Sequence, residues 1–195
     1  MSNTFDPQLL RQRLSPVNSD VTSGKDHPPE TAVAVIIDPQ HGGSMLLIRR
    51  TERESDPWSG QIAFPGGHKA SSDRTLLDTA MRETDEEVGI ALRQHEILGA
   101  LPPVRSLTRR ISVAPFVFLL KEREEIRRNV EVADAFWIPL RDLAGSVIVK
   151  SEVQMDNVRD LTDSYVYRGN VIWGLTFRII NILLDSIGRK SHWPS

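Results

Sequence analysis

Residues 64–90 read FPGGHKASSDRTLLDTAMRETDEEVGI, a composition that folding requirements alone do not explain. Pro65 and the two glycines after it favour a turn, because neither a helix nor a regular strand accommodates this combination. Residues 75–88 have the length and composition of a helix, and Gly89 is typical of the residue that ends one. This part of the chain therefore predicts a strand, a loop and a helix, in that order.

The predicted helix has an apolar face and an acidic face. At about 100° per residue, the face expected to be buried comprises Leu77, Met81, Thr84 and Val88. Glu83, Glu86 and Glu87 share another face, where like charges at i, i+3 and i+4 repel one another. They lie in the last helical turn, where the macrodipole also disfavours negative charge. Such a local conflict is expected at a functional site.

Clustered carboxylates are the natural ligands of hard divalent cations, so the acidic face predicts a site for Mg²⁺ or Mn²⁺. Mg²⁺ usually shares its coordination shell with substrate phosphates. The alternative is an acidic helix face that is simply solvated, as charge runs on helices commonly are.

The same residues resemble the signature of the Nudix hydrolases. The positions that match in register are Arg82, Glu83, Glu86, Glu87, Gly89 and Ile90. Gly67 lies one residue further from Arg82 than in the signature, Asp73 stands near its first glutamate, and Thr84 replaces an aliphatic residue. The resemblance implies the Nudix fold of the α/β (α+β) class, in which a mixed, curved β-sheet is sandwiched between α-helices.

Two further segments resemble the coenzyme A pyrophosphatase branch of that family, as does the longer loop after Gly67. The matching positions ahead of residues 64–67 are Leu46, Leu47, Arg50 and Gly60. A second arginine of the branch motif has no counterpart in register, and Arg53 is the nearest substitute. Residues 172–176, Ile-Trp-Gly-Leu-Thr, also resemble this branch.

The resemblance implies roles for the acidic residues. Glu83 and Glu87 are the expected first metal ligands, Glu86 completes the shell or polarises the metal-bound water, and the backbone at Gly66 or Gly67 adds an oxygen. By family analogy, Arg82 orients a glutamate through a salt bridge. The general base is open between Glu86, Glu131 and the metal acting alone. Asp134 is the second candidate after Glu131 for an additional carboxylate at the site. The alternative is that Glu131 is only a charged residue on an edge strand, facing water.

Basic and aromatic residues are the candidates for substrate binding. Arg49, Arg50 and Arg53 could clamp phosphate, because guanidinium matches phosphate oxygens two at a time, or could pair with neighbouring acidic residues. Trp58 is either a stacking surface for adenine or a hydrophobic plug. The basic loop 102–110 is either a lid or a solvated connection. Its candidate phosphate contacts are Arg105, Arg109 and Arg110.

The remaining pattern predicts one catalytic domain over residues 31–188. An N-terminal helix and flexible linker precede it in residues 1–30, and a tail follows in residues 189–195. Apolar runs predict strands at 31–38, 44–50, 95–101 and 112–120. Helical periodicity predicts helices at 5–14 and 176–187, the second with a buried stripe. The residues of that stripe are Ile179, Ile180, Leu183, Leu184 and Ile187.

Composition narrows the class of function. The net charge of −2 argues against nucleic-acid and anionic-membrane partners. The chain has no cysteines, which excludes thiolate zinc sites. Because the chain has neither a long apolar run nor a signal-like N-terminus, we expect a cytoplasmic protein. The resemblance implies a small-molecule nucleotide substrate. The oligomeric state is open, with a homodimer among the arrangements allowed.

The expected reaction is metal-dependent hydrolysis of the pyrophosphate bond of a nucleoside diphosphate derivative. The resemblance favours coenzyme A or an acyl coenzyme A, which would yield 3′,5′-ADP and phosphopantetheine. One alternative is a pyrophosphatase acting on ADP-ribose or another nucleotide sugar. The other is a non-catalytic, regulatory nucleotide-binding module, since fold alone does not determine function.

Overall fold

The computed structural model describes residues 5–17, 28–54, 58–106, 111–155 and 158–188. The helices are α1 Pro7–Arg13, α2 Leu76–Val88, α3 Leu140–Gly145 and α4 Gly174–Ser186. The strands are β1 Thr31–Asp38, β2 Ser44–Arg50, β3 Ile62–Ala63, β4 Gly66–His68, β5 Glu96–Ala100, β6 Val104–Arg105, β7 Ser112–Leu119, β8 Val132–Pro139, β9 Val149–Met155, β10 Val158–Tyr167 and β11 Asn170–Trp173. Short 3₁₀ turns occur at Gln40–Gly42 and Leu92–Gln94.

A mixed sheet forms the centre of the described residues. Its main path runs β3-β2-β1-β7-β5, while β4 pairs with β1, β6 with β7 and β8 with β2. β1 and β7 are parallel, with Thr31 opposite Val113 and Ile37 opposite Leu119, and the other pairings in this sheet are antiparallel. The strands predicted at 31–38 and 44–50 are confirmed as β1 and β2, and those at 95–101 and 112–120 are each slightly shorter.

The sheet lies between α2 on one face and α4 on the other, as predicted. Side chains of β1 alternate between the faces, so Ala34 and Ile36 pack in one buried cluster and Val35 and Ile37 in a second. The α2 residues in the first cluster are Leu76, Ala80 and Val88. The α4 residues in the second are Phe177, Ile179, Ile180, Leu183 and Leu184.

Helix α2 begins and ends as the sequence indicates. Thr75 forms a reciprocal capping box with Asp78, and Gly89 ends the helix with φ = 72°, a conformation that favours glycine. The predicted buried face needs correction. Thr84 and Val88 are buried, but Leu77 and Met81 are only partly buried, and the most buried apolar side chains of the first two turns are Leu76 and Ala80. The buried face is therefore turned relative to the predicted one.

Helix α4 packs between the main sheet and a second, three-stranded sheet of order β11-β10-β9. The hydroxyl of Tyr165 on β10 donates to Asn181 Oδ1 on α4 at 2.8 Å. The hydroxyl of Thr176 donates to the carbonyl of Ile62 at 2.9 Å, which ties the start of α4 to β3. Strands β9 and β10 were not predicted from the sequence. Helix α4 begins two residues earlier than predicted, and four of its five predicted stripe residues are buried.

The N-terminal helix packs onto the domain. Leu10 of α1 has no exposed surface, and the backbone of Ser15 exchanges two hydrogen bonds with that of Ala100. Most of the predicted linker (residues 18–27) and the tail at 189–195 lie outside the described residues. In the part of the chain that is described, no helix has the length and apolar character needed to cross a membrane.

Candidate active site

The glycine turn lies directly against the acidic end of α2. The backbone N–H of Gly66 donates to Glu87 Oε2 at 2.9 Å. A side chain at Gly66 would overlap the carbonyl of Ala32, and its φ of 150° also favours glycine. A Cβ on Gly67 would stand 2.5 Å from the carboxylate of Glu83. Two glycines therefore let two carboxylates approach the backbone of β4.

Glu87 and Glu83 are held in surroundings that oppose their ionisation. Glu87 is only 2% exposed, and burial, reinforced by the nearby charge of Glu83, raises its pKa to about 8 despite the hydrogen bond from Gly66. Burial also raises the pKa of Glu83, although Arg82 opposes that shift. A positive charge between these two groups would stabilise both carboxylates in their ionised form.

Arg82 links the helix to the loop before it. Its Nε and Nη2 each donate to one carboxylate oxygen of Asp73 at 2.9 Å, a bidentate pair that holds the pKa of Asp73 well below its ordinary value. The same guanidinium lies 2.9 Å from Glu83 Oε1 and 3.1 Å from Glu86 Oε2. Asp73 also accepts from the hydroxyl of Thr79 at 3.0 Å. Arg82 thus positions two of the candidate carboxylates at once.

The three glutamates of the acidic face occupy different surroundings. Glu87 is buried, the side chain of Glu83 is 18% exposed, and that of Glu86 is 56% exposed and turned towards Arg82. Among the residues with described placement, no three acidic or histidine side chains converge into a metal cluster. Glu83 and Glu87 still present a carboxylate pair, which suits a hard cation that takes further oxygens from water, phosphate or backbone carbonyls. The ligand assignments, including Glu86 and Gly67, stay predictions.

Glu131 lies close to this centre at the start of β8. Its charge contributes to raising the pKa of both Glu83 and Glu87, and its carboxylate lies 3.3 Å from Arg53 Nη1. Arg53 is therefore paired with a residue distant in sequence. Asp134, the second candidate, lies 3.8 Å from Arg49 in an exposed pair.

Asn129 connects Glu131 to the end of α2, a role that was not predicted from the sequence. Its backbone N–H donates to the carbonyl of Glu87 at 3.1 Å, and its side-chain Oδ1 accepts from the N–H of Glu131 at 2.8 Å. The sequence does carry a signal for this turn, because asparagine commonly bonds the backbone two residues further along the chain.

A cavity of about 380 Å³ opens beside the glycine turn. Its lining includes Arg50, Gly66 and Gly67, which we call its inner end because the carboxylate pair adjoins these glycines. The charge of Arg50 lowers the pKa of Glu87, so this arginine lies near the carboxylates. One wall comes from the main sheet and from the segment that precedes β3. This segment includes Trp58, which is only partly buried. A second set of lining residues, the far wall, comprises Asp160, Thr162, Trp173, Gly174, Leu175, Thr176, Arg178 and Ile179.

Gly60 and Arg105, two other candidate positions, are not among the residues that line this cavity. Gly60 packs beside Glu52 and is not among the lining residues. Arg105 is exposed on β6, and its carbonyl accepts a hydrogen bond from Arg178. Arg109 and Arg110 of the predicted lid fall outside the described residues. The structure thus brings Arg50 and Trp58 to the cavity, together with a wall that the sequence did not predict.

Comparison with known proteins finds relatives that match most of the chain. The family model for the NUDIX domain matches residues 27–158. An uncharacterized Nudix hydrolase NudL of Yersinia enterocolitica is 32% identical over 186 residues, which cover 94% of this chain and 93% of that protein. The NudL of Pectobacterium atrosepticum is 32% identical over 152 residues, covering 77% of this chain and 79% of that protein.

Solved structures share the fold at lower sequence identity. A MutT/nudix family protein from Enterococcus faecalis superposes with a TM-score of 0.54 at 17% identity, covering 83% of this chain and 62% of that one. A bifunctional NMN adenylyltransferase/ADP ribose pyrophosphatase from Francisella tularensis gives a TM-score of 0.51 at 18% identity, covering 83% of this chain and 42% of that one. At this identity the similarity concerns the fold alone.

Proposed function

The chain belongs to the Nudix hydrolase family, and from this premise we propose that it hydrolyses the pyrophosphate bond of coenzyme A or of an acyl coenzyme A. The reaction adds water across the P–O–P linkage and releases 3′,5′-ADP and phosphopantetheine, or its acylated form. Membership of the family makes the chain a pyrophosphohydrolase, and the choice of coenzyme A is the finer part of the proposal.

The observation that carries the proposal is the carboxylate pair held against a glycine turn at the inner end of a cavity. Glu83 and Glu87 are drawn out of water and pressed against the backbone of β4, which opposes their ionisation and has no evident purpose in folding. Arg50 lines the same end of the cavity. Paired carboxylates can bind a cation that neutralises a diphosphate, and a guanidinium can pair with its phosphate oxygens.

Nudix hydrolases generally use divalent metal ions, and the donor set here fits Mg²⁺ or Mn²⁺. Glu83 and Glu87 would hold the ion, with Glu86 and the carbonyl at Gly67 as further candidates. When bound, such an ion supplies charge neutralisation of the diphosphate and activation of water at neutral pH. A cation also offsets the burial and the mutual repulsion that raise the pKa of Glu83 and Glu87 in its absence.

The protein's own residues have distinct tasks in this proposal. Arg82, anchored by Asp73, holds the carboxylates of Glu83 and Glu86 in position through ion pairs. Arg50 binds the diphosphate and offsets its charge. Glu86 and Glu131 are the candidates to accept the proton of the attacking water, because both are exposed carboxylates beside the buried pair.

The choice of coenzyme A rests on the two motif segments taken together. Arg50 and residues 173–176, which are far apart in sequence, line one cavity next to the carboxylate pair. Two other matching positions, Leu46 and Leu47, are fully buried in β2 and support the strand that carries Arg50, whereas Gly60 does not line the cavity. Both segments that resemble the coenzyme A branch therefore contribute to the same prospective binding surface.

A substrate panel tests the proposal. Purified protein is incubated with coenzyme A, acetyl coenzyme A, ADP-ribose and dinucleoside polyphosphates, with Mg²⁺, with Mn²⁺ and with a chelator, and the products are identified by mass spectrometry. We expect metal-dependent release of 3′,5′-ADP from coenzyme A at the highest kcat/KM of the panel. A higher kcat/KM for ADP-ribose would overturn the choice of substrate, and binding without turnover of any compound would indicate a regulatory module.

A further inference from the structure

The cavity is closed on one side by a part of the chain that the family model does not match. The match ends at residue 158, whereas Asp160, Thr162 and Trp173 all contribute to the far wall. The near wall, with Val33 and Val113, belongs to the central strands. The two walls thus come from different parts of the protein, and β10, β11 and α4 supply the one beyond the family match.

The β-strand pattern fixes which β10 side chains reach the cavity. Asp160 and Thr162 line it, while Leu161 between them is 64% exposed and is not a lining residue. Side chains alternate along a strand, so Leu161 points to the opposite face of the second sheet. Trp173 of β11 lies opposite Ser164 in the register of the two strands, on the same face as Thr162.

The charges around the cavity are unevenly distributed. Its inner end adjoins Arg50 and the carboxylate pair, where a diphosphate is expected. The far wall combines apolar surface from Trp173, Leu175 and Ile179 with an anionic side chain, Asp160. The guanidinium of Arg178 on this wall is hydrogen-bonded to the carbonyl of Arg105.

These features discriminate between the two halves of coenzyme A. The nucleoside half carries a 3′-phosphate, which Asp160 would repel and which the apolar surface would leave without polar partners, while the guanidinium of Arg178 already donates to the carbonyl of Arg105. The other half is an uncharged chain with two amides, whose N–H groups can donate to Thr162 and Asp160 while its methyl groups contact Trp173 and Leu175. A volume of about 380 Å³ lies near the lower end of the range for small-molecule pockets, in keeping with one half of the substrate.

We propose that this cavity binds the pantetheine half of the substrate, and that Thr162 and Trp173 select it. The 3′-phosphoadenosine half then lies outside the cavity, on the other side of the diphosphate. The inference rests on the proposed function for its choice of ligand, and it assigns the specificity of the site to strands β10 and β11. A ribose without amides or apolar groups would leave most of the far wall without contacts, which disfavours nucleotide sugars.

The experiment separates the two halves by using the reaction products as probes. The Kd values of 4′-phosphopantetheine and of 3′,5′-ADP are measured by calorimetry in Mg²⁺ for the wild type, Thr162→Val, Trp173→Ala and Trp173→Phe. Thr162→Val conserves volume and keeps the strand intact, so the test does not depend on whether Trp173→Ala folds. Leu161→Ala, on the same strand but outside the cavity, is the matched control.

We expect Trp173→Ala and Thr162→Val to weaken 4′-phosphopantetheine binding about tenfold, because each removes a contact to that half. Trp173→Phe should lose less, and 3′,5′-ADP should bind every variant within about twofold of the wild type, as should both probes with Leu161→Ala. Weakened 3′,5′-ADP with unchanged 4′-phosphopantetheine would overturn the proposal, and so would unchanged binding of both probes.

The outcome also separates this inference from the proposed function. If the wild type binds 4′-phosphopantetheine in a manner sensitive to Trp173 and Thr162 but does not cleave coenzyme A, the proposed reaction fails and the assignment of the cavity stands. If coenzyme A is cleaved but the variants change only the binding of 3′,5′-ADP, the reaction stands and the cavity belongs to the nucleoside. Failure of the wild type to bind 4′-phosphopantetheine at all would overturn the assignment.

Discussion

Helices α2 and α4 cover opposite faces of one sheet, have equal lengths of 13 residues, and are built on different principles. Helix α4 buries a stripe of aliphatic side chains and has no side-chain cap at its start. Helix α2 is capped at both ends, yet among its buried residues are Thr79, Thr84 and Glu87. One helix is held by apolar burial, whereas the other relies on caps and ion pairs to offset an acidic last turn.

The difference shows where this protein gives up stability for a site. Burying Glu87 beside Glu83 is unfavourable, and a single backbone N–H, that of Gly66, offsets part of that cost. No comparable conflict occurs on α4, whose buried amide Asn181 is hydrogen-bonded to Tyr165 and to the carbonyl of Phe177. Substitutions on the two helices should therefore separate activity from stability.

The largest effect is expected from Glu87→Gln. Because the amide cannot match the carboxylate as a metal ligand, kcat/KM should fall about a thousandfold or more, equivalent to about 4 kcal/mol. The free energy of unfolding without metal should stay equal or rise, because the amide carries none of the ionisation cost that raises the pKa of the buried Glu87 to about 8. Metal-dependent turnover and urea denaturation measure the two quantities. Asp85→Asn, the same change at an exposed position of α2, is the control, and near-normal activity of Glu87→Gln would contradict the site.

Leu183→Ala on α4 should show the opposite pattern. Leu183 has no exposed surface, so the cavity left behind should lower the free energy of unfolding by about 3 kcal/mol. The kcat/KM per folded molecule should be unchanged, because Leu183 neither lines the proposed substrate cavity nor belongs to the carboxylate pair. Chemical denaturation with a parallel activity assay tests both, and Leu161→Ala provides the same substitution at an exposed position. A catalytic defect in folded Leu183→Ala would break the contrast between the helices.

Asp73→Asn tests whether ion pairs replace apolar burial on α2. The Arg82 guanidinium holds the pKa of Asp73 below its ordinary value of 3.8, so the stabilisation is complete above that pH and is lost as pH falls through the lower folded-state pKa. Near pH 7 the free energy of unfolding of the variant should be about 2–3 kcal/mol lower than that of the wild type. On acidification it should fall less than that of the wild type. Urea denaturation at several pH values measures this. Parallel curves for the two proteins would contradict it.

The smallest effect is expected at Asn129. Removing the side chain in Asn129→Ala frees the backbone before Glu131, which should lower kcat about tenfold with little change in KM or in the melting temperature. Asn129→Asp keeps an acceptor for the N–H of Glu131 and should restore most of the rate. Steady-state kinetics and thermal denaturation of both variants decide it. Equal losses in the two variants would show that the turn does not position Glu131.

The contrast also explains what the sequence predicted. The bounds of β1 and β2 follow from apolar runs closed by turn residues, and those of α2 from Thr75 and Gly89. In β9 and β10 several polar residues on both faces are exposed or only partly buried, so the alternation that marks a half-buried strand is weak and both strands escaped prediction. Local patterns report an element when one side of it is clearly apolar.

The sequence predicted which acidic residues group together in the candidate site, but not how deeply each one is buried. Helical spacing grouped Glu83, Glu86 and Glu87 correctly in sequence, but it could not show that Glu87 turns inward while Glu86 stays in solvent. That depends on which side of α2 meets the sheet and on a hydrogen bond from Gly66, a residue distant in sequence. The far wall of the cavity depends on tertiary packing of α4 in the same way.

The parallel pairing of β1 with β7 has a kinetic consequence. Thr31 lies opposite Val113, so β1 and β7 can pair only when the two ends of the long segment between them come together. Such high contact order slows folding to the range of about milliseconds to seconds. During synthesis, β1 leaves the ribosome before β7, so the edge of β1 that pairs with β7 stays open, and open to aggregation, until residue 119 has emerged.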